Sequence, residues 1–181
     1  MPHDLHHRIS HRRQWLRAVG VGLGVTVVAA MSGCGFALRQ SPKLAFQSLY
    51  INVADGSLFG QLLKRNLKSI DGLEVITEAR EIERAEVILE LLLEQPEKVI
   101  LSRTATGTVR EYVLRLRVRF RLRARNGDEL IPDTELLQER EISFNETAAL
   151  AKESEEQLLY RDMRADLVQQ LIRRLTAVRQ I

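Results

Sequence analysis

VREYVLRLRVRFRLRAR, residues Val109 to Arg125, alternates strictly between apolar and basic side chains over most of its length. Successive residues of a β-strand point to opposite faces. Tyr112, Leu114, Leu116, Val118, Phe120 and Leu122 therefore line one face, and Arg115, Arg117, Arg119, Arg121, Arg123 and Arg125 the other. Asn126-Gly127 follows directly and is a hairpin turn signal. The chain returns from about Thr134 to Phe144, with Glu135, Glu139 and Glu141 in one phase and Leu136, Ile142 and Phe144 in the other. Upstream, Glu86 to Glu94 reads EVILELLLE. Glu86, Glu90 and Glu94 are expected on one face, and Val87, Leu89, Leu91 and Leu93 on the other. Pro96 cannot donate to a ladder and is expected to end or interrupt that strand.

A row of six arginines admits two readings. It is either a lane or docking surface for a protein, anionic lipid or lipopolysaccharide, or a solvated face neutralised from within. The flanking strands supply glutamates 86, 90, 94, 135, 139 and 141. Opposite charges across strands attract and an uncompensated ladder repels itself, so the self-neutralising face is the expected state.

The other elements supply a second layer. From about Ala151 to Val178, Leu159, Met163, Leu167, Leu171 and Leu175 recur every four residues, with Tyr160, Val168 and Ile172 widening the stripe of a long amphipathic helix. Ala45 to Val53 reads as a first strand. Asp55 or Ser57 can cap a helix from about Leu58 to Ile70, stopped by Gly72. Leu73 to Ile76 reads as a short strand and Glu78 to Arg84 as a polar connection. The expected fold is a two-layer α/β sandwich, with two helices packed on one face of a mixed, mostly antiparallel sheet, as a single domain over residues 45–181.

The first 44 residues are of another kind. Arg8, Arg12, Arg13 and Arg17 precede an uncharged run of 14 residues, Ala18 to Met31, that contains three glycines. A transmembrane helix needs about 20 apolar residues, so this run reads as the apolar core of a secretory signal. Ser32 and Gly33 precede Cys34, the single cysteine, in an arrangement that resembles the bacterial lipobox. Cleavage there makes residues 1–33 a signal peptide, Cys34 a lipid-bearing thioether, and residues 34–44 a tether. His11 to Arg17, HRRQWLR, is similar to a twin-arginine export motif, but that route usually serves chains folded around a cofactor, and with no cofactor motif here an ordinary basic leader is the preferred reading. Gly35 follows the cysteine where an aspartate favours inner-membrane retention in enteric bacteria. The expected destination is therefore the outer membrane, facing the periplasm.

Cleavage also changes the chemistry on offer. The whole chain carries 27 lysines and arginines against 24 acids, and the leader removes four arginines and one aspartate. The remaining 148 residues have 23 of each sign, so the basic footprint that nucleic-acid binding requires is gone. All four histidines, His3, His6, His7 and His11, lie in the leader. The mature chain thus lacks imidazole and a free thiol, the commonest means of acid–base catalysis and zinc binding, and it contains no nucleotide, cofactor or hydrolase motif. We expect no enzyme, no metal site and no cofactor other than the covalent lipid on Cys34. The competing classes are an accessory lipoprotein of another envelope lipid-transport system and a lipid-anchored hydrolase.

Four segments, taken in order, resemble one family. Gly35-Phe36-Ala37-Leu38-Arg39 after the lipobox resembles the start of the LptE lipopolysaccharide-assembly lipoproteins. Arg110-Glu111-Tyr112, Ala149-Leu150-Ala151-Lys152-Glu153 with Glu156, and Leu171-Ile172-Arg173-Arg174-Leu175 are similar to that family's later motifs. The resemblance implies two helices on a sheet of about four strands and a partner, the LptD β-barrel, whose lumen the lipoprotein plugs and whose assembly it assists. It also implies lipopolysaccharide binding, with Arg103 and Lys152 at the positions of the basic loop residues associated with that contact. Cations at those positions suit the phosphates of lipid A.

Overall fold

The computed structural model describes residues 43–179. The leader, Cys34 and nearly all of the tether lie outside the described residues. The sheet order is β2-β1-β3-β4-β5, with β1 (Ser48–Asn52), β2 (Glu74–Ile76), β3 (Val87–Arg103), β4 (Val109–Ala124) and β5 (Glu129–Ser143). β1 runs parallel to β2 and β3, and the β3-β4-β5 meander is antiparallel. Helices α1 (Leu58–Lys68) and α2 (Ala149–Ala177) pack on one face. The two-layer sandwich is as expected. The sheet has five strands where about four are implied by family resemblance, β2 being a three-residue edge strand.

β4 follows its alternation. Leu114, Leu116, Val118, Phe120 and Leu122 are wholly buried beneath the helices, against Met163, Leu167, Val168, Leu171 and Leu175 of α2. Ser57 caps α1, its side chain accepting from Gly60 N–H at 2.8 Å. At the β1 end the sheet is covered on both faces. The 3-10 turn Ala79–Arg84 brings Ile82 onto Tyr50, Ile76, Ala85 and Ile88, so β1 is buried from Ser48 to Ile51, as is usual for parallel strands.

Three expectations on the long strands are corrected. β3 runs through Pro96 to Arg103. β1 pairs it only from Val87 to Glu90, so its distal half is an edge strand, where a residue without an N–H is tolerated. β5 begins at Glu129, five residues before Thr134. Gly127, at φ 99°, closes a short loop in which Gly127 N–H donates to Ala124 O and Ala124 N–H to Asp128 O, so pairing resumes at once. Finally, Glu86, Glu90 and Glu94 do not share a face. The β3-β4 register shifts between Leu91 and Leu93, and one extra residue inverts the alternation. Glu90 stays opposite Arg121 on the open face, whereas Glu94 comes opposite Val118 and points to the helices.

Candidate functional site

The open face of the meander carries the arginine row, and five of its six arginines pair with acids of that face, while Arg125 donates to the Glu83 carbonyl at 3.0 Å. Arg115 pairs with Glu139, Arg117 with Glu135, Arg119 with Asp133, and Arg121 and Arg123 with Glu90. Of the six glutamates expected there, 90, 135 and 139 serve. Asp133 joins them through a register shift near Phe120. Glu94 faces the other layer, and Glu86 accepts the Gln47 N–H at 2.7 Å. Hydrogen bonding to Arg119 holds the Asp133 carboxyl below its ordinary range, and the same contact raises the Arg119 guanidinium above its own. Arg121 is raised in the same way by Glu90.

The helix side of the distal meander is less closely filled. Beyond Glu90 the sheet is only three strands wide, and the amino end of α1 meets it at Glu94 while α2 runs on across it. A cavity of about 430 Å³ remains between the first three turns of α2 and the ends of β3, β4 and β5. Tyr112 and Phe144 meet edge to face in its floor, with ring centroids 5.5 Å apart. Lys98 Nζ lies 4.5 Å from the centre of the Tyr112 ring and donates to Glu156 Oε2 at 2.6 Å. Tyr160 Oη donates to the Glu97 carbonyl at 2.6 Å. Burial pushes its phenol pKa up, and Glu156 adds to the shift.

Lys152 lines this cavity. It stands in the first turn of α2, behind a 3-10 turn over Glu146–Ala148 whose entry is fixed by Asn145 Oδ1 accepting from Thr147 N–H. Its ammonium donates to Ser143 Oγ at 3.1 Å and to Glu155 Oε2 at 2.9 Å. Arg103 is elsewhere. It is exposed at the end of β3, where Nη1 donates to the Gly107 carbonyl at 3.0 Å and so braces the β3-β4 hairpin. The two cations thus lie at the same end of the sheet, connected through Ser102, whose hydroxyl donates to Glu111, and through the Glu111-Ser143 pairing. They share no bonding partner, and only Lys152 reaches the cavity.

Lys98, Tyr112, Phe144 and Glu156 were not legible as a cluster, because Lys98 lies beyond the proline at which β3 was expected to break. The usable signal was the stretch Glu97 to Ser102, which has no glycine and is half β-branched or leucine. Among the described residues no three metal-ligating side chains converge.

Known proteins resemble this chain over the same region. A profile of the family LptE, described as Lipopolysaccharide-assembly, matches residues 46–175. An uncharacterized lipoprotein B from Nitrosomonas europaea, solved by solution NMR, is 36% identical and superposes with a TM-score of 0.67, covering 79% of this chain and 91% of that one. The rare lipoprotein B from Shewanella oneidensis is 21% identical, with a TM-score of 0.60 over 72% of this chain and 94% of its own. A minor lipoprotein from Acinetobacter baumannii is 20% identical, with a TM-score of 0.59 over 75% and 94%. The last two likenesses concern the fold. No curated protein sequence matches the chain.

Proposed function

Because the chain belongs to the LptE family of lipopolysaccharide-assembly proteins, we propose that it is anchored by lipid on Cys34 to the periplasmic face of the outer membrane. There it plugs the LptD β-barrel, assists the barrel's assembly, and binds lipopolysaccharide in transit to the outer leaflet. The observation that carries this reading is the family match itself, which runs from the approach to β1 to the last turn of α2. The protein acts by binding and by occupying space, with no turnover and with the covalent lipid as its one prosthetic group. Arg103 and Lys152 supply cations for lipopolysaccharide phosphate. Each is held by weak, partly exposed partners that a phosphate can replace.

The test is purification of the lipidated chain from membranes through an affinity tag. A large heat-modifiable barrel and lipopolysaccharide are expected to come with it. Charge reversal of both cations, Arg103→Glu with Lys152→Glu, is expected to lower the bound lipopolysaccharide about tenfold or more, the range for losing charge-assisted contacts, with the barrel retained. A chain that brings down an inner-membrane lipid-transport complex in place of a barrel refutes the reading.

A further inference from the structure

The geometry points to Lys98 as a further phosphate ligand, beside Lys152: the cavity under α2 holds the phosphorylated headgroup of a glycolipid between Lys98 and Lys152, and the acid paired to Lys98, Glu156, sets how readily that headgroup leaves. This deepens the lipopolysaccharide reading above and rests on it. The two lysines come from different layers, β3 and α2, and converge on one cavity. Each is tied to one carboxylate of α2, Lys98 to Glu156 and Lys152 to Glu155. Lys152, Glu156 and Tyr160 are four residues apart and stack on one face of the helix, above Lys98 and the Tyr112 ring.

Both ion pairs are partly exposed, with 37% of the Lys98 side chain and 22% of the Lys152 side chain open to solvent. Pairs of that exposure are weak. A phosphate monoester offers nearly two negative charges and three acceptor oxygens against the single charge of each carboxylate, so it can draw the ammonium groups away. Lys98 is already placed for the exchange, because its ammonium also rests over the Tyr112 ring, a contact in which Glu156 takes no part. The cavity is far larger than one phosphate ion and falls in the range of small-molecule sites. Its floor of Tyr112, Phe144 and Ile142 offers apolar carbon surface that a bare ion cannot use. Those two properties together select a phosphorylated lipid headgroup.

The experiment measures binding of purified lipopolysaccharide to the full lipidated chain in detergent, in parallel for wild type, Lys98→Met and Glu156→Gln. Methionine keeps an unbranched stem over Tyr112 and removes the charge. Lys98→Met is expected to weaken binding about tenfold, the effect of losing one charge-assisted contact. Glu156→Gln is expected to strengthen it about threefold, by freeing Lys98 from its competitor. Opposite shifts in two conservative variants do not arise from misfolding. With dephosphorylated lipopolysaccharide, both variants are expected to match wild type. Wild-type affinity in both variants, or an unchanged gap between them on dephosphorylated lipid, overturns the assignment. Complete displacement of the lipid by millimolar inorganic phosphate overturns it also, in favour of an ion site. A wild-type chain that binds no lipopolysaccharide refutes the parent reading and this one with it.

Discussion

Glu94 is one residue on which both helices depend. Its carboxylate accepts from the Ser57 hydroxyl at 2.6 Å and from the Phe59 N–H at 3.2 Å, and so serves the amino end of α1 from a strand 35 residues away. It also accepts from Arg164 Nε of α2 at 3.1 Å. With the Glu94 and Arg164 side chains only 13% and 16% exposed, the pair has little water to fall back on. Removing the acid strands a mostly buried guanidinium and two donors of the α1 entry. Glu94→Ala is therefore expected to destabilise the domain by about 3 kcal/mol, the low end for breaking a buried ion pair. Glu94→Gln keeps an acceptor oxygen and should cost about half as much. Urea melts of the two variants provide the check, and because the pair is shielded its loss should persist in high salt. A Glu94→Ala protein within about 0.5 kcal/mol of wild type, the usual span of a surface change, rejects this role. No sequence pattern announced it, since the period of two sends Glu94 to the arginine face and only the bulge at Leu91–Leu93 turns it inward.

The strands differ in what they reveal of themselves, and the difference is physical. β4 is paired on both sides with its period unbroken from Tyr112 to Leu122, so alternation alone gave its faces correctly. β3 carries a bulge and a proline that its sequence makes look like a break, and its distal half becomes legible only when β1 is seen to stop at Asn52 and leave that half on an edge. The cavity inherits this illegibility, because Lys98 sits on the stretch that Pro96 obscured. Lys152 was reached through family resemblance and not through its surroundings. The arginine row permits a test at this scale. Arg119 stands opposite Glu135 and binds Asp133, so Arg119→Glu gathers three carboxylates on adjoining strands. Its melting temperature is expected to fall below that of wild type at low salt. The deficit should close in molar salt, where charges are screened beyond about 3 Å, and barrel copurification should be unchanged. Wild-type stability coupled with loss of the barrel would make the row a docking surface instead.

At the scale of the whole molecule, the question is what holds the domain at a membrane. Among the described residues no helix is long and apolar enough to cross one. The apolar stripe of α2 is spent on the sheet, and the opposite face of the meander is a lattice of compensated charges. On the function proposed above, two things keep the domain at the outer membrane, the lipid on Cys34 and the barrel partner, and the two contributions are separable. Each buried methylene contributes about 0.8 kcal/mol, and a single acyl chain binds only reversibly, whereas the three chains of a bacterial lipoprotein make release negligible. Cys34→Ser removes all of them and leaves the folded domain untouched. In cells depleted of the barrel, this variant is expected to lose incorporation of labelled palmitate and to leave the membrane fraction on an alkaline wash, while wild type stays. With the barrel present, the variant should remain partly bound and should come off as the barrel is denatured. Firm retention of the unacylated variant without the barrel would mean that some surface of the domain itself binds lipid, and the anchor would have to be sought there.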